Sequence, residues 1–256
     1  MPYSYGCLAL KYWCAESENK GQRKRLLHIL QRPSEDYPNF AGDNATDTIR
    51  PYRPEDAMGC GECFYEGFFS CPVDANDRVF LRDYGQVLVE KCNFTYVAVT
   101  QEQQVVGFIC GKYGKGFSKA LAGRCDTRRH YGAWARMFLK FYLRGYKLSA
   151  AFQKQFGAFF QQARERNNSD FQGCDLELVA LSSKRDFRKG LGTALVARFM
   201  EHARADGADS VRLMTNTLAS WEFYEKRGFA KVSERPFADG SGQKTIVYEY
   251  RAKEKH

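Results

Sequence analysis

The sequence predicts a mixed α/β (α+β) fold: a mostly antiparallel mixed sheet of about seven strands, flanked by helices. Three observations predict it. Short β-branched and aromatic runs recur along the chain, but they do not alternate strictly with helices as a doubly wound sheet requires. Two of these runs adjoin through the polar turn QEQQ, a hairpin pattern. A long helical stretch, 114–172, then separates the third strand from the fourth.

Taken in order, residues 1–46 lack patterning. KGQRKRLLHILQR allows a short basic helix and SEDYPNFAGDNATD is turn-rich, so a flexible extension is expected before a domain spanning 47–256. TIRPYRPED (48–56) reads as a strand running into a helix start, because Pro54 followed by Glu55 and Asp56 suits a first helical turn. A helix through AMGCGECFYEGFF comes next. NFTYVAVT (93–100) and VVGFICGKY (105–113) form the hairpin.

The insertion reads as two helices. One places Trp134, Phe138 and Tyr142 on one stripe with Met137 and Phe141 beside it; the other aligns Phe152, Phe156 and Phe159 or Phe160. DLELVALS (175–182) alternates as a strand, with Asp175, Glu177, Val179 and Leu181 on one face and Leu176, Leu178 and Ala180 on the other. GTALVARFMEHARADG is an amphipathic helix whose stripe is Leu195, Val196, Phe199, Met200 and Ala203, with Gly207 as its stop. A strand (210–216), a helix (218–228), a strand FAKVSE and a last strand KTIVYEYRAK complete the chain.

Composition bounds the function. The chain has 256 residues, 44% of them hydrophobic and 15% aromatic, enough for a sizeable core. Its net charge of +9 suits a polyanionic ligand. The basic residues are scattered and no nucleic-acid-binding module is recognisable, so a nucleic-acid partner is not expected. No apolar run reaches the roughly 18 residues of a membrane span, and the N-terminus lacks the ordered regions of a secretory signal, so a cytoplasmic protein is expected. Nine cysteines at irregular spacing fit reduced thiols. Cys60 and Cys63 form a C-x-x-C with no second pair, and His28, His130, His202 and His256 form no ligand cluster, so no metal is expected.

The segment RKGLGTAL (188–195) comes after a strand and opens a helix. Such a turn presents free amides and the positive end of the helix dipole, which is how pyrophosphate is bound without special side chains. G-x-x-x-x-G-K-[ST] and G-x-G-x-x-G are both absent, which argues against a nucleotide triphosphate or dinucleotide. Downstream, NTLASWEFYEKRGF places Asn216, Ala219, Tyr224, Gly228 and Phe229 in an N-x-x-A-x-x-x-x-Y-x-x-x-G-F pattern.

With the glycine loop before it, this resembles the GNAT superfamily of acyl-CoA-dependent N-acetyltransferases. Their loop pattern, Q/R-x-x-G-x-G/A, is met here in its glycines only, since Phe187 stands at its head and Arg188 falls one place later. TIRPYRPEDA is similar to the family's first strand and helix start. The resemblance covers roughly 48–250, with 114–172 outside the shared core.

The resemblance implies acetyl-CoA as co-substrate and a primary amine as acceptor. It implies that the amides of Arg188, Lys189, Gly190, Leu191, Gly192 and Thr193 hold the phosphates, with Arg188 or Lys189, and Arg185 nearby, adding charge. It also implies that Val179, Ala180 and Leu181 lie along pantetheine, Asn216 contacts its amides and Tyr224 stands near the thioester sulfur. A phenol near pKa 10 suits protonation of a thiolate near 8.5. Glu177 is the expected base, with Asp175 or a carboxylate-linked water as alternatives. The rival reading of the same residues is a non-catalytic CoA-binding module. Arg128, Arg129, Arg136 and Arg144 in the insertion hint at an acidic acceptor, although charged helix faces are commonly only solvated. The acceptor stays open, as does the assembly, a homodimer being among those allowed.

Overall fold

A computed structural model describes residues 46–69, 71–114, 117, 127–143, 145–163, 166–238 and 240–252. The expected N-terminal extension, and the part of the insertion that carries the Arg144 backbone, lie outside them. Strand β1 (Thr46–Pro51) leads through a short 3-10 turn (Pro54–Asp56) into α1 (Ala57–Phe68) and α2 (Ala75–Glu90). The hairpin comes next as β2 (Phe94–Thr100) and β3 (Val105–Tyr113). Helices α3 (Thr127–Tyr142) and α4 (Ala150–Ala163) come before β4 (Leu176–Ser183) and α5 (Arg188–Ala205). The chain ends with β5 (Ser210–Asn216), the single turn α6 (Glu222–Glu225), β6 (Ala230–Pro236) and β7 (Lys244–Arg251).

The seven strands form one sheet in the order β1-β2-β3-β4-β5-β7-β6, antiparallel throughout except for β4 and β5. The expected sheet and the position of the helical insertion are therefore observed. The start of α1 is built as its sequence implied. Asp56 accepts from the Arg53 amide at 2.7 Å and forks onto Arg50 at 2.7 and 2.9 Å, fixing the turn that Pro54 begins.

Helix α2 was not anticipated. Its start carries a reciprocal cap: Asp77 N donates to Asp74 at 2.8 Å, and Asp74 N donates back to Asp77 at 3.3 Å. The helix at 218–228 shrinks to one turn, because the Asn216 side chain accepts from Leu218 N at 2.9 Å and Gly228 turns the chain at φ +81°.

Apolar side chains bury on both faces of the sheet. On one, Leu195, Phe199 and Met200 of α5 meet Leu176, Leu178, Leu213, Ile246 and Tyr248. On the other, α1, α2 and the insertion pack Phe64, Phe80, Phe152 and Phe156 against Val97, Val99 and Phe108. The Phe152–Phe156 stripe of α4 is buried as expected; the Phe156 ring meets Phe80 edge-on at 4.8 Å. On α3 the stripe is rotated. Ala133 is buried and Met137 packs on the core, while Tyr142 is 77% exposed. Cys60 and Cys63 lie buried in this second core, as a helical i, i+3 pair of small residues would, and burial pushes the Cys63 thiol up to about 12. No helix among the described residues is long and apolar enough to cross a membrane.

Candidate active site

The site begins where β4 and β5 part. Their parallel pairing covers only Leu176–Val211, Glu177–Arg212 and Leu178–Leu213, and past it β4 has no partner on that side. At the same place β4 bulges: Cys110 faces Ala180 while Gly111 faces Leu178, so Val179 is the extra residue. The bulge changes the expected face pattern. Ala180 packs in the α1–α2 core with Val179 beside it, and Leu181 turns to the α5 side with Leu176 and Leu178. Backbone polar groups of Val179, Ala180 and Leu181 are thus turned toward an open gap, a ready edge for an amide-bearing chain.

At the far end of the gap stands the glycine loop. Lys189 (ψ 105°) and Gly190 (φ 84°, ψ −30°) break the first turn of α5, so regular helix starts at Leu191 and leaves its first-turn amides at the mouth of the gap. The two glycines differ in purpose. Gly190 holds a left-handed conformation in open space, whereas a Cβ on Gly192 would stand 3.2 Å from the Phe223 ring. Phe187, at the head of the loop, is a hydrophobic anchor packed on the α5-side core.

The loop's cations are divided between two tasks. Arg185 donates to the Phe69 carbonyl at 2.8 Å and Arg188 to the Glu66 carbonyl at 2.8 Å, so both cap the C-terminus of α1. Lys189 is exposed, as are Arg185 and Arg188, so all three loop charges remain at the surface. Arg227, which sequence reasoning missed, adds another. It donates to Thr193 Oγ1, lies 3.4 Å over the Phe223 ring, and leaves Nε buried without a partner among the described residues.

Tyr224 packs edge-on to Phe223 and Phe229 at 5.2 and 5.9 Å, and its hydroxyl makes no hydrogen bond to another described residue. Burial raises its pKa to about 12, with Arg227 pulling the other way. Asn216, at the end of β5, spends its side-chain oxygen on the Leu218 amide and keeps its NH2 for another acceptor.

Glu177 is buried at the closed end of the gap, and its carboxylate is taken by a fork from Arg166: one guanidinium nitrogen donates to Oε1, the other to Oε2 at 2.8 Å. Arg166, from the end of the insertion, carries no sequence signal beyond that of a helix end. The pair belongs to a row of alternating charge across the strands, Lys112–Glu177–Arg212–Glu249. Asp175 does something else. Its Oδ2 accepts from the amides of Asp209 and Ser210 at 3.0 and 2.8 Å and from the Ser210 hydroxyl at 3.0 Å, which seats the start of β5.

Residues 160–229, which contain the loop, Asn216 and Tyr224, match a family model described as the acetyltransferase (GNAT) family. No curated protein sequence matches the chain. Among solved structures it is similar to histone acetyltransferase HPA2 and related acetyltransferase from Corynebacterium glutamicum, at 16% identity over 82% of this chain and 98% of that one, with a TM-score of 0.49. It is similar to Ard1 from Thermoplasma volcanium at 16% identity over 81% and 98%, with a TM-score of 0.45. An aminoglycoside 6'-acetyltransferase type Ii stands at 15% identity over 81% and 99%, with a TM-score of 0.49.

Proposed function

We propose that this chain, whose residues 160–229 match the acetyltransferase (GNAT) family model, transfers the acetyl group of acetyl-CoA to a primary amine by direct attack within a ternary complex. The observation that carries this reading is the β4–β5 gap, with unpaired backbone along Val179–Leu181 and a helix N-terminus at its mouth. Pantetheine has two amides that need such an edge, and its pyrophosphate needs such a terminus.

In this reading the amides of Arg188 to Thr193 bind the phosphates, with Lys189 adding charge and Arg227 bracing Thr193. Val179, Ala180 and Leu181 pair with pantetheine, and the Asn216 NH2 donates to one of its carbonyls. Glu177 receives a proton from the acceptor ammonium, directly or through a water. The neutral nitrogen then attacks the thioester carbon. Tyr224 faces the departing sulfur. A phenol at about 12 is a weaker acid than a thiol near 8.5, so Tyr224 works first as a hydrogen-bond donor that stays protonated at physiological pH. Cytoplasmic residence belongs to the same proposal, supported by six described cysteines that are buried and unpaired.

One observation favours a second reading, a CoA-binding module without catalysis: the Glu177 carboxylate is fully engaged by Arg166. A screen separates the two. Acetyl-CoA binding is measured by calorimetry, and CoA thiol release is monitored across amines, amino acids, polyamines, aminoglycosides and peptides. Acceptor-dependent thiol release supports transfer. Binding without release from any acceptor supports the module.

A further inference from the structure

Arg227 is a cation placed where the fold supplies no counter-charge. Other inward-turned arginines face a carboxylate: Arg50 meets Asp56 and Arg212 meets Glu249, each at 2.7 Å, and Arg235 meets Asp170 at 2.8 Å. Among the described residues Arg227 faces none. Its terminal nitrogens donate to the Phe223 carbonyl at 2.7 Å and to Thr193 Oγ1, both neutral acceptors. Burial draws its pKa below the ordinary value, and the group that pulls it back up is Tyr224, not a carboxylate.

Its position sharpens the imbalance. Thr193 belongs to the first turn of the regular part of α5, which starts at Leu191. The free amides and the dipole of that turn are positive, so they repel a guanidinium held beside them. Two positive groups turned to one place are stabilised by an anion between them.

The guanidinium is also held ready. It lies 3.4 Å from the centre of the Phe223 ring, the same ring that a Cβ on Gly192 would meet at 3.2 Å. Each terminal nitrogen keeps a second N–H beyond the bond it already makes. The loop leaves room for an anion, since a Cβ on Gly190 would meet no described atom within 4 Å.

We propose, resting on the acetyltransferase reading of the site, that Arg227 is a side-chain ligand of the donor's pyrophosphate. The guanidinium keeps its bonds to Phe223 and Thr193 and gives its remaining N–H groups to a phosphate oxygen, while the α5 amides bind the others. The pyrophosphate is the partner, rather than the 3'-phosphate, because Arg227 is tied to Thr193 at the loop itself. The same residue joins the phosphate site to the chemistry. It follows Tyr224 by three residues and holds the Phe223 carbonyl, so a bound anion steadies the turn that carries Tyr224.

The test measures Kd by displacement calorimetry on the full chain for three donors: acetyl-CoA, acetyl-3'-dephospho-CoA and S-acetylpantetheine, which has no phosphate. Arg227→Met should raise Kd about 30-fold for the first two alike, the scale of a lost charge-assisted contact. For S-acetylpantetheine it should change Kd by no more than about two-fold. Arg227→Lys keeps the stem and the charge but not the fork, so it should cost about five-fold on the two phosphate-bearing donors; it decides the matter even if Arg227→Met folds poorly. Equal loss on all three donors would make Arg227 a brace for the loop and overturn the proposal. So would a loss confined to acetyl-CoA, which would assign the contact to the 3'-phosphate, and so would no loss at all. These outcomes overturn this proposal alone. Absence of acetyl-CoA binding to the unaltered protein overturns the acetyltransferase reading with it.

Discussion

Gly192 lies against the ring of Phe223, so closely that a Cβ there would stand 3.2 Å from both Cε2 and Cζ. This contact sets the spacing between the start of α5 and the turn that carries Tyr224, and thus between the two ends of the proposed donor site. Gly192→Val should push the turn away and raise the acetyl-CoA Kd by about ten-fold, measured by calorimetry. Adding Phe223→Ala should recover part of that loss, since it removes the atoms the new side chain meets.

Gly190 makes the opposite prediction. Its φ of 84° sits in open space, so a side chain there meets backbone strain and no neighbour. Gly190→Ala should cost about 1–2 kcal/mol of stability, read from urea unfolding. A loss near zero would mean that the kink of α5 does not need the left-handed conformation.

The insertion should be held by a charge that acid removes. Burial alone would push the Asp83 carboxyl up, but hydrogen bonds from Lys140, Tyr146 and Arg82 outweigh it and leave the group below its ordinary value. A depressed carboxylate stabilises the fold above its unfolded pKa of about 3.9, and that contribution is lost as pH falls through the folded value. Asp83→Asn should therefore lower the urea midpoint at neutral pH and converge on the unaltered protein in acid. Curves that stay equally separated at every pH would exclude the carboxylate as the cause.

The α5 stripe offers a control without site chemistry. Phe199 is fully buried between the helix and the sheet. Phe199→Ala should cost about 3–5 kcal/mol in urea unfolding.

Legibility in the sequence depends on the range of each interaction. The stripe of α5 and its Gly207 stop are local, so spacing alone revealed them. The Asn216-to-Phe229 pattern pointed to the candidate site, although the Asn216 cap shortened the helix read from it. The bulge at Val179 was invisible, because LELVALSS alternates without a break and only pairing with β3 displaces it. The gap past Leu178 and Leu213 is likewise a matter of two strands far apart in sequence. Arg166 reaches Glu177 only because the insertion folds back on the sheet, and no spacing within the chain announces that. Arg188 is singled out in the sequence by charge and position, and its bond to the Glu66 carbonyl at the nearby end of α1 is a long-range contact that no local spacing announces.

The central claim, acetyl transfer at the β4–β5 gap with Tyr224 beside the leaving sulfur, is tested most directly by thiol release from acetyl-CoA with Tyr224→Phe beside the unaltered protein. The account predicts acceptor-dependent release that falls by about 10²-fold in the variant, while the acetyl-CoA Kd stays within about two-fold. Unchanged turnover in Tyr224→Phe would contradict it.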